Sequence, residues 1–222
     1  MPRHSFASHD AKARDLTSEV CGTLVTAKDF LLAELFAGQH LPDFFLSIER
    51  LSKETYGHYW RGQFITRDGA QVADKIALNA RHLHERSPSE ILEDLLHEMC
   101  HLWQAALGLD CRISYHDKVF ANLMERVGLI TSTTGAPGGA RMGVHMLDYP
   151  VSGGVFEIAR DKLLATGWTL DWGDRPDRDT PKKSRDRVKY YCPNCEWIAR
   201  GKPDLPMSCF DCGARCEVEA PD

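Results

Sequence analysis

The chain has 222 residues, 43% of them hydrophobic and 27% charged, and a formal net charge of −5. That length holds one substantial core with a small appendage, and that charge argues against a surface that coats nucleic acid throughout while leaving room for a local basic patch. No apolar run approaches the roughly 20 residues needed to span a bilayer, and the N-terminal stretch is charged throughout without an apolar signal core, so a chain with no membrane span and no secretory leader is expected.

Residues 1–16 are polar and aperiodic and are read as a flexible tail. From about Ser18 to Ala37, Val20, Leu24, Ala27, Leu31 and Leu35 recur at helical spacing, and Gly38 supplies a stop. Three strands are predicted next. Phe44, Leu46 and Ile48 alternate with more polar neighbours. Tyr56 to Ile65 is aromatic-rich, with Gly57 and Gly62 marking a bulge or bend. Ile76, Leu78 and Ala80 form the third, and Asp68-Gly69 is a turn signal between the second and third. Together they predict a small, mostly antiparallel sheet.

The strongest helix signal follows. Ser87 fits an N-cap, Pro88 the first helical position, and Glu90 completes a capping box. A broad apolar face runs from Ile91 to Leu107, and Gly108 ends it. Inside this helix stands His97-Glu98-Met99-Cys100-His101. Residues four apart share a helix face, so His97 and His101 can bind one metal ion with Glu98 beside it. Two imidazoles that leave a coordination position open, and a carboxylate to take a proton from water, are the parts a zinc hydrolase requires. Buried polar groups without partners cost about 1–3 kcal/mol each, and a shared cation is the simplest partner for all three.

His116 follows 15 positions after His101. A second helix is predicted over His116–Val127, with His116, Phe120, Leu123 and Val127 on its inward face, so His116 is the preferred third ligand. His82, His84 and His145 are the rivals. Residues 131–154 are rich in glycine, with Thr-Gly-Ala-Pro-Gly-Gly at 134–139 unsuited to regular structure. A short helix is expected over 155–166. From Arg175 to Lys189 seven Lys or Arg stand against three Asp, which defines a basic linker over 174–189.

Of the eight cysteines, Cys21, Cys100 and Cys111 are scattered, the last two reading as small buried residues. Cys192-Pro-Asn-Cys195 and Cys209-Phe-Asp-Cys212, separated by 13 residues, form two metal knuckles with a spacer suited to a short hairpin. A piece of about 28 residues (190–217) has no room for a core, so four thiolates around one structural zinc ion would hold it folded. Cys216 could replace Cys212 or remain a free thiol. Clustered CxxC pairs without a signal peptide indicate a reducing compartment, and the cytoplasm is the expected location.

His97-Glu-Met-Cys-His101, the spacing to Tyr115-His116-Asp117, the strand Ile76-Ala-Leu-Asn79 and the paired CxxC motifs together resemble the SprT-like (Spartan) zinc metalloprotease family. The resemblance covers about residues 18–130 and 189–216 and implies an α+β fold. Its parts would be a zincin-like metalloprotease domain over 17–173, with an insert at about 131–173, and a small C-terminal β zinc ribbon over 190–217. It also implies a catalytic zinc ion held by His97, His101 and His116, with Glu98 as general base and a protein as substrate. An extended substrate would pair with the strand at 75–80 as with a sheet edge. Some members of that family act on proteins attached to DNA, which makes DNA a possible partner through the ribbon and the basic linker. The competing expectation is a non-catalytic nucleic-acid-binding zinc protein whose histidine site is structural.

Overall fold

A computed structural model describes residues 14–109, 112, 114–175 and 187–218. Most of the expected N-terminal tail and basic linker, and Cys111, lie outside the described residues. The chain divides into two units, Met1–Arg175 and Pro176–Asp222. No helix among the described residues is long and apolar enough to cross a membrane.

Helix α1 (Leu16–Leu35) starts at Asp15, whose side chain accepts the Ser18 N–H at 3.1 Å, and buries Leu24, Ala27 and Leu31 along one stripe. It is followed by β1 (Phe44–Glu49), β2 (Gly57–Ile65) and β3 (Val72–Asn79), in the spatial order β1-β3-β2. The β2–β3 pairing is antiparallel, as its short Asp68-Gly69 connection requires, and the β1–β3 pairing is parallel. The register of β2 shifts between Trp60 and Phe64, where the Gly62 N–H turns to the Asp74 carboxylate at 2.7 Å.

This topology corrects the reading of residues 75–80 as a sheet edge. β3 is the central strand, and both of its sides are already hydrogen-bonded; β1 and β2 are the edges. Ile76, Ala77, Leu78 and Asn79 are all buried, as befits a strand covered on both faces. Asn79 is the polar exception, and each of its amide groups is used. Its Nδ2 donates to the carbonyls of Ser52 and Thr55 at 2.7 and 2.6 Å, and its Oδ1 accepts from the Leu51 and Arg81 N–H groups. Those bonds pin the loop that leads into β2.

Helix α2 (Pro88–Ala106) begins with the capping box read from the sequence: Glu90 N–H donates to Ser87 Oγ, and Ser87 N–H donates back to Glu90 Oε2 at 2.7 Å. Ile91, Leu92, Leu95, Leu96, Met99 and Leu102 bury it in the main core. Helix α3 spans Lys118–Arg126. It starts two residues later than predicted because the Asp117 carboxylate takes the N-cap position, accepting from Phe120 N–H at 2.8 Å. His116 therefore precedes the helix, where its backbone bridges to Gly143.

The glycine-rich region is also more ordered than the sequence indicates. Residues 134–139 are a turn region, but β4 (Leu129–Ser132) and β5 (Leu147–Pro150) pair antiparallel on either side of it. Helix α4 (Val155–Leu164) follows, and Trp168 then ties the chain back to α1 by donating its indole N–H to the Thr23 carbonyl at 3.0 Å.

In the second unit β6 (Val188–Tyr191), β7 (Ile198–Gly201) and β8 (Glu217–Val218) form a sheet ordered β7-β6-β8. The spacer between the two CxxC pairs supplies only β7. Its hairpin partner β6 precedes Cys192, because the first knuckle is itself the turn, closed by Cys192 N–H to the Trp197 carbonyl at 2.8 Å.

Because α2 carries the metal motif, its cap bears on the site. Ser87→Ala removes one half of the reciprocal cap and is expected to lower unfolding free energy by about 1 kcal/mol, measured by urea denaturation; an unchanged midpoint would show that the cap does not hold the start of this helix.

Candidate metal centres

The i,i+4 spacing on α2 turns His97 and His101 to one side, and the His116–Gly143 bridge brings the third ring over them. The three Nε2 atoms lie 3.1, 3.2 and 3.2 Å from one another. Two nitrogens bound to a tetrahedral zinc ion at its usual bond length stand about 3.3 Å apart, so the donor set fits such an ion. Phe120, one turn into α3, packs against all three rings, with centroids 5.0, 4.1 and 4.8 Å from those of His97, His101 and His116. It forms an apolar floor that leaves the rings little freedom to turn.

Burial shapes the charge of this group. It drives His101 well below the ordinary imidazole range, helped by its histidine neighbours, and it lowers His116 to about 4. Both rings are thus neutral and able to donate a lone pair. Burial also pushes His97 down, but the carboxylates around it, Asp148 first and then Glu98 and Asp94, together outweigh burial and raise this ring to about 9. A cation bound here displaces that proton.

Glu98 is buried beside the cluster, and desolvation raises its carboxyl to about 7 against the opposing pull of His97. The Tyr59 backbone N–H, on β2, donates to it. Gly57 on the same strand makes the approach possible. A Cβ there would stand 2.8 Å from Glu98 Cγ and 3.0 Å from Oε1. The cluster opens into a cleft of about 980 Å³, walled by β2 residues such as His58 and Arg61, with Tyr56 just before them, on one side and by Tyr115 and Leu147 elsewhere.

Sequence reasoning missed two outer partners. Asp148 Oδ2 accepts from His97 Nδ1 at 2.7 Å, and the Gly143 carbonyl accepts from His116 Nδ1 at 3.2 Å. Asp148 lies 51 residues beyond His97, and no spacing rule links the two. The available signal was that Asp148 is the one acidic or basic residue, histidine aside, between Met142 and Phe156. The rival histidines take no part in the cluster. His82 bonds the Lys53 carbonyl through Nε2 at 3.0 Å, His84 packs near Gly173, and His145 is exposed on the cleft rim.

In the second unit the four thiols of Cys192, Cys195, Cys209 and Cys212 lie within 4.8 Å of one another, and Cys192 Sγ is 3.5 Å from Cys212 Sγ. Thiolates on a tetrahedral zinc ion stand about 3.8 Å apart, so this set also fits. Cys216 lies outside the four. It is buried with Tyr190 and two of the four clustered cysteines in a core of a few side chains.

The SprT-like family model matches residues 30–137. That part of the chain is similar to the SprT-like family, a likeness that suggests a metallopeptidase-like domain, and the four-cysteine unit lies beyond the match. No curated protein and no solved structure matches the chain.

The Gly57–Glu98 contact is open to a double-mutant cycle. Gly57→Ala is expected to destabilise by about 1–3 kcal/mol through overpacking, and most of that loss is expected to vanish when Glu98→Ala is also present. Equal costs in both backgrounds, read from denaturant unfolding, would show that the added methyl group does not meet Glu98.

Proposed function

We propose that the protein is a zinc-dependent metalloendopeptidase. The observation that carries this reading is the joint placement, at the bottom of an open cleft, of three converging Nε2 atoms and a buried carboxylate next to them. His97, His101 and His116 would hold the zinc ion, which when bound would supply Lewis acidity toward water and a peptide carbonyl. Glu98, buried beside the three rings, would take a proton from the attacking water and hand it to the leaving amine. A carboxyl group near 7 is suited to both transfers at neutral pH. Tyr59 N–H and Gly57 keep the carboxylate aimed while it does so.

An extended substrate has a sheet edge to pair with in β2, whose start, with Tyr56 before it and Tyr59 within it, walls the cleft and whose other side is already bonded to β3. The strand proposed for substrate pairing is therefore β2, the neighbour of the strand at 75–80. The buried Glu98 speaks against the non-catalytic alternative, since a structural histidine site has no use for a carboxylate at that position.

Glu98→Gln is expected to retain zinc at the histidines and to lose about 10²–10⁴-fold in peptide-cleavage rate. Metal analysis with a protease assay on both proteins checks this; undiminished cleavage by the variant would remove Glu98 from the mechanism. A chelator should abolish cleavage by the wild type.

The substrates we propose are proteins associated with DNA, with the four-cysteine unit as the docking element. Its second knuckle carries Phe210 fully exposed, a side chain on which a base can stack, and Lys189, Arg200, Lys202 and Arg215 lie in the same unit. The basic sequence of the linker adds to this reading. Replacing Cys192 and Cys195 together by Ser is expected to release one zinc ion per chain and to weaken retention on single-stranded DNA. Retention equal to wild type would exclude the ribbon as the docking element, and cleavage of free peptides at full rate without DNA would point to a peptidase with no DNA link.

A further inference from the structure

The residues after 137 lie beyond the family match, yet they provide the acceptors for Nδ1 of two of the three ligand imidazoles, Gly143 for His116 and Asp148 for His97. We infer that Asp148 is a positioning residue of the metal centre, whose carboxylate holds the His97 ring as the Nδ1–H tautomer so that Nε2 presents its lone pair to the cation. The inference rests on the histidine cluster being a metal site, as proposed above.

Three observations carry it. A carboxylate oxygen can only accept, so the 2.7 Å contact puts the proton on Nδ1. In the other tautomer the proton would sit on Nε2, inside a triangle whose sides are 3.1–3.2 Å, and would occupy the space a cation needs. Second, Asp148 is an expensive residue to place there. Its Oδ1 is buried with no hydrogen-bond partner among the described residues, and a carboxylate left half-satisfied in a protein interior lowers stability. An apolar residue on β5 would avoid that cost, so the benefit lies with His97. Third, the segment is built to hold its place. Asp148 is the register partner of Thr131, whose hydroxyl donates to the Arg141 carbonyl at 2.7 Å. Arg141 in turn donates to Glu125 Oε2 at 2.9 Å and to the Ala121 carbonyl at 3.3 Å, both on α3. Gly139 packs so closely that an added Cβ would fall 2.2 Å from Ser132 Oγ. The helix that carries Phe120 and the segment that carries Asp148 are therefore fastened together around the imidazoles.

The segment read from sequence as an insert thus completes the centre. Carboxylate partners of metal-bound histidines fix ring orientation and raise ligand basicity, and their loss weakens metal binding about 10–100-fold.

The test is zinc affinity on the full chain, by competition with a chromophoric chelator, for wild type and Asp148→Asn. Cobalt substitution separates the two sites, since only the four thiolates give a sulfur-to-metal charge-transfer band. The expected result is an affinity about 10–100-fold lower at the histidine site, with the thiolate band and the unfolding midpoint unchanged. A folded variant with wild-type affinity at the histidine site would overturn the inference. Should the variant not fold, nitrogen-15 histidine spectra of the zinc-loaded wild type decide: His97 is expected to show Nδ1–H and a metal-shifted Nε2, and metal on Nδ1 would refute the role given to Asp148. A wild-type protein that binds no zinc at the histidines would instead refute the metal-centre reading itself.

Discussion

Three imidazole nitrogens are held in mutual van der Waals contact, and a cation bound between them would satisfy all three at once. The cluster His97, His101 and His116 imposes this condition on the first unit, and much of the surrounding structure can be understood as meeting it. Helix α2 must be buried to bring the pair into the core, yet it must open on one side to a cleft. Its capping box fixes where it begins, and its apolar face, from Ile91 to Leu102, fixes its rotation. The rotation decides that both histidines and Glu98 meet β2 and α3 rather than solvent. Phe120 then closes the space behind the rings with a surface that offers them no competing hydrogen bond.

The electrostatics of the group follow from burial more than from any single pair. Desolvation acts on every member, favouring neutral imidazoles at His101 and His116 and a carboxyl near 7 at Glu98. His97 alone departs from that pattern, because the carboxylates around it, Asp148 on a distant strand first among them, together override its burial. The result is a set of different charge states fixed by environment: two rings kept neutral, one ring held by an outer partner, and one carboxyl raised toward neutral pH. Gly57 belongs to the same design. The absence of a side chain on β2 lets the Glu98 carboxylate lie against the strand and accept from its backbone.

A bound metal would matter to the two units in different ways. The first has a large core of its own, spread over four helices and a three-stranded sheet, and a cation there would serve chemistry rather than folding. Among the described residues of the second, only Tyr190, Cys192, Cys209 and Cys216 make up the buried cluster, and two of them belong to the four-cysteine set. Burial on that scale cannot offset the conformational entropy of some thirty residues, roughly 1–2 kcal/mol each, and thiolate–metal bonds at the four-cysteine set would be the term that closes the balance.

What could be read from the sequence was local. The capping box at Ser87, the 3.6-residue stripes of α1 and α2, the Asp68-Gly69 turn, the HExxH spacing and the paired CxxC motifs all express constraints that act within a few residues, and the structure has each in its expected place. The position of His116 beside the pair was also expected from sequence, although by an argument that put it inside α3. The Asp117 side chain competes for the helix start and leaves His116 in a bridge to Gly143. The non-local features were decided by the tertiary structure alone. Which strand lies at the sheet edge depends on the parallel crossover that sets β1 beside β3, and no residue in β3 announces it. Likewise the carboxylate that faces His97 comes from β5, brought there by β4 pairing and by contacts to α3, because hydrogen-bond geometry is fixed by distance in space and leaves no periodic trace along the chain.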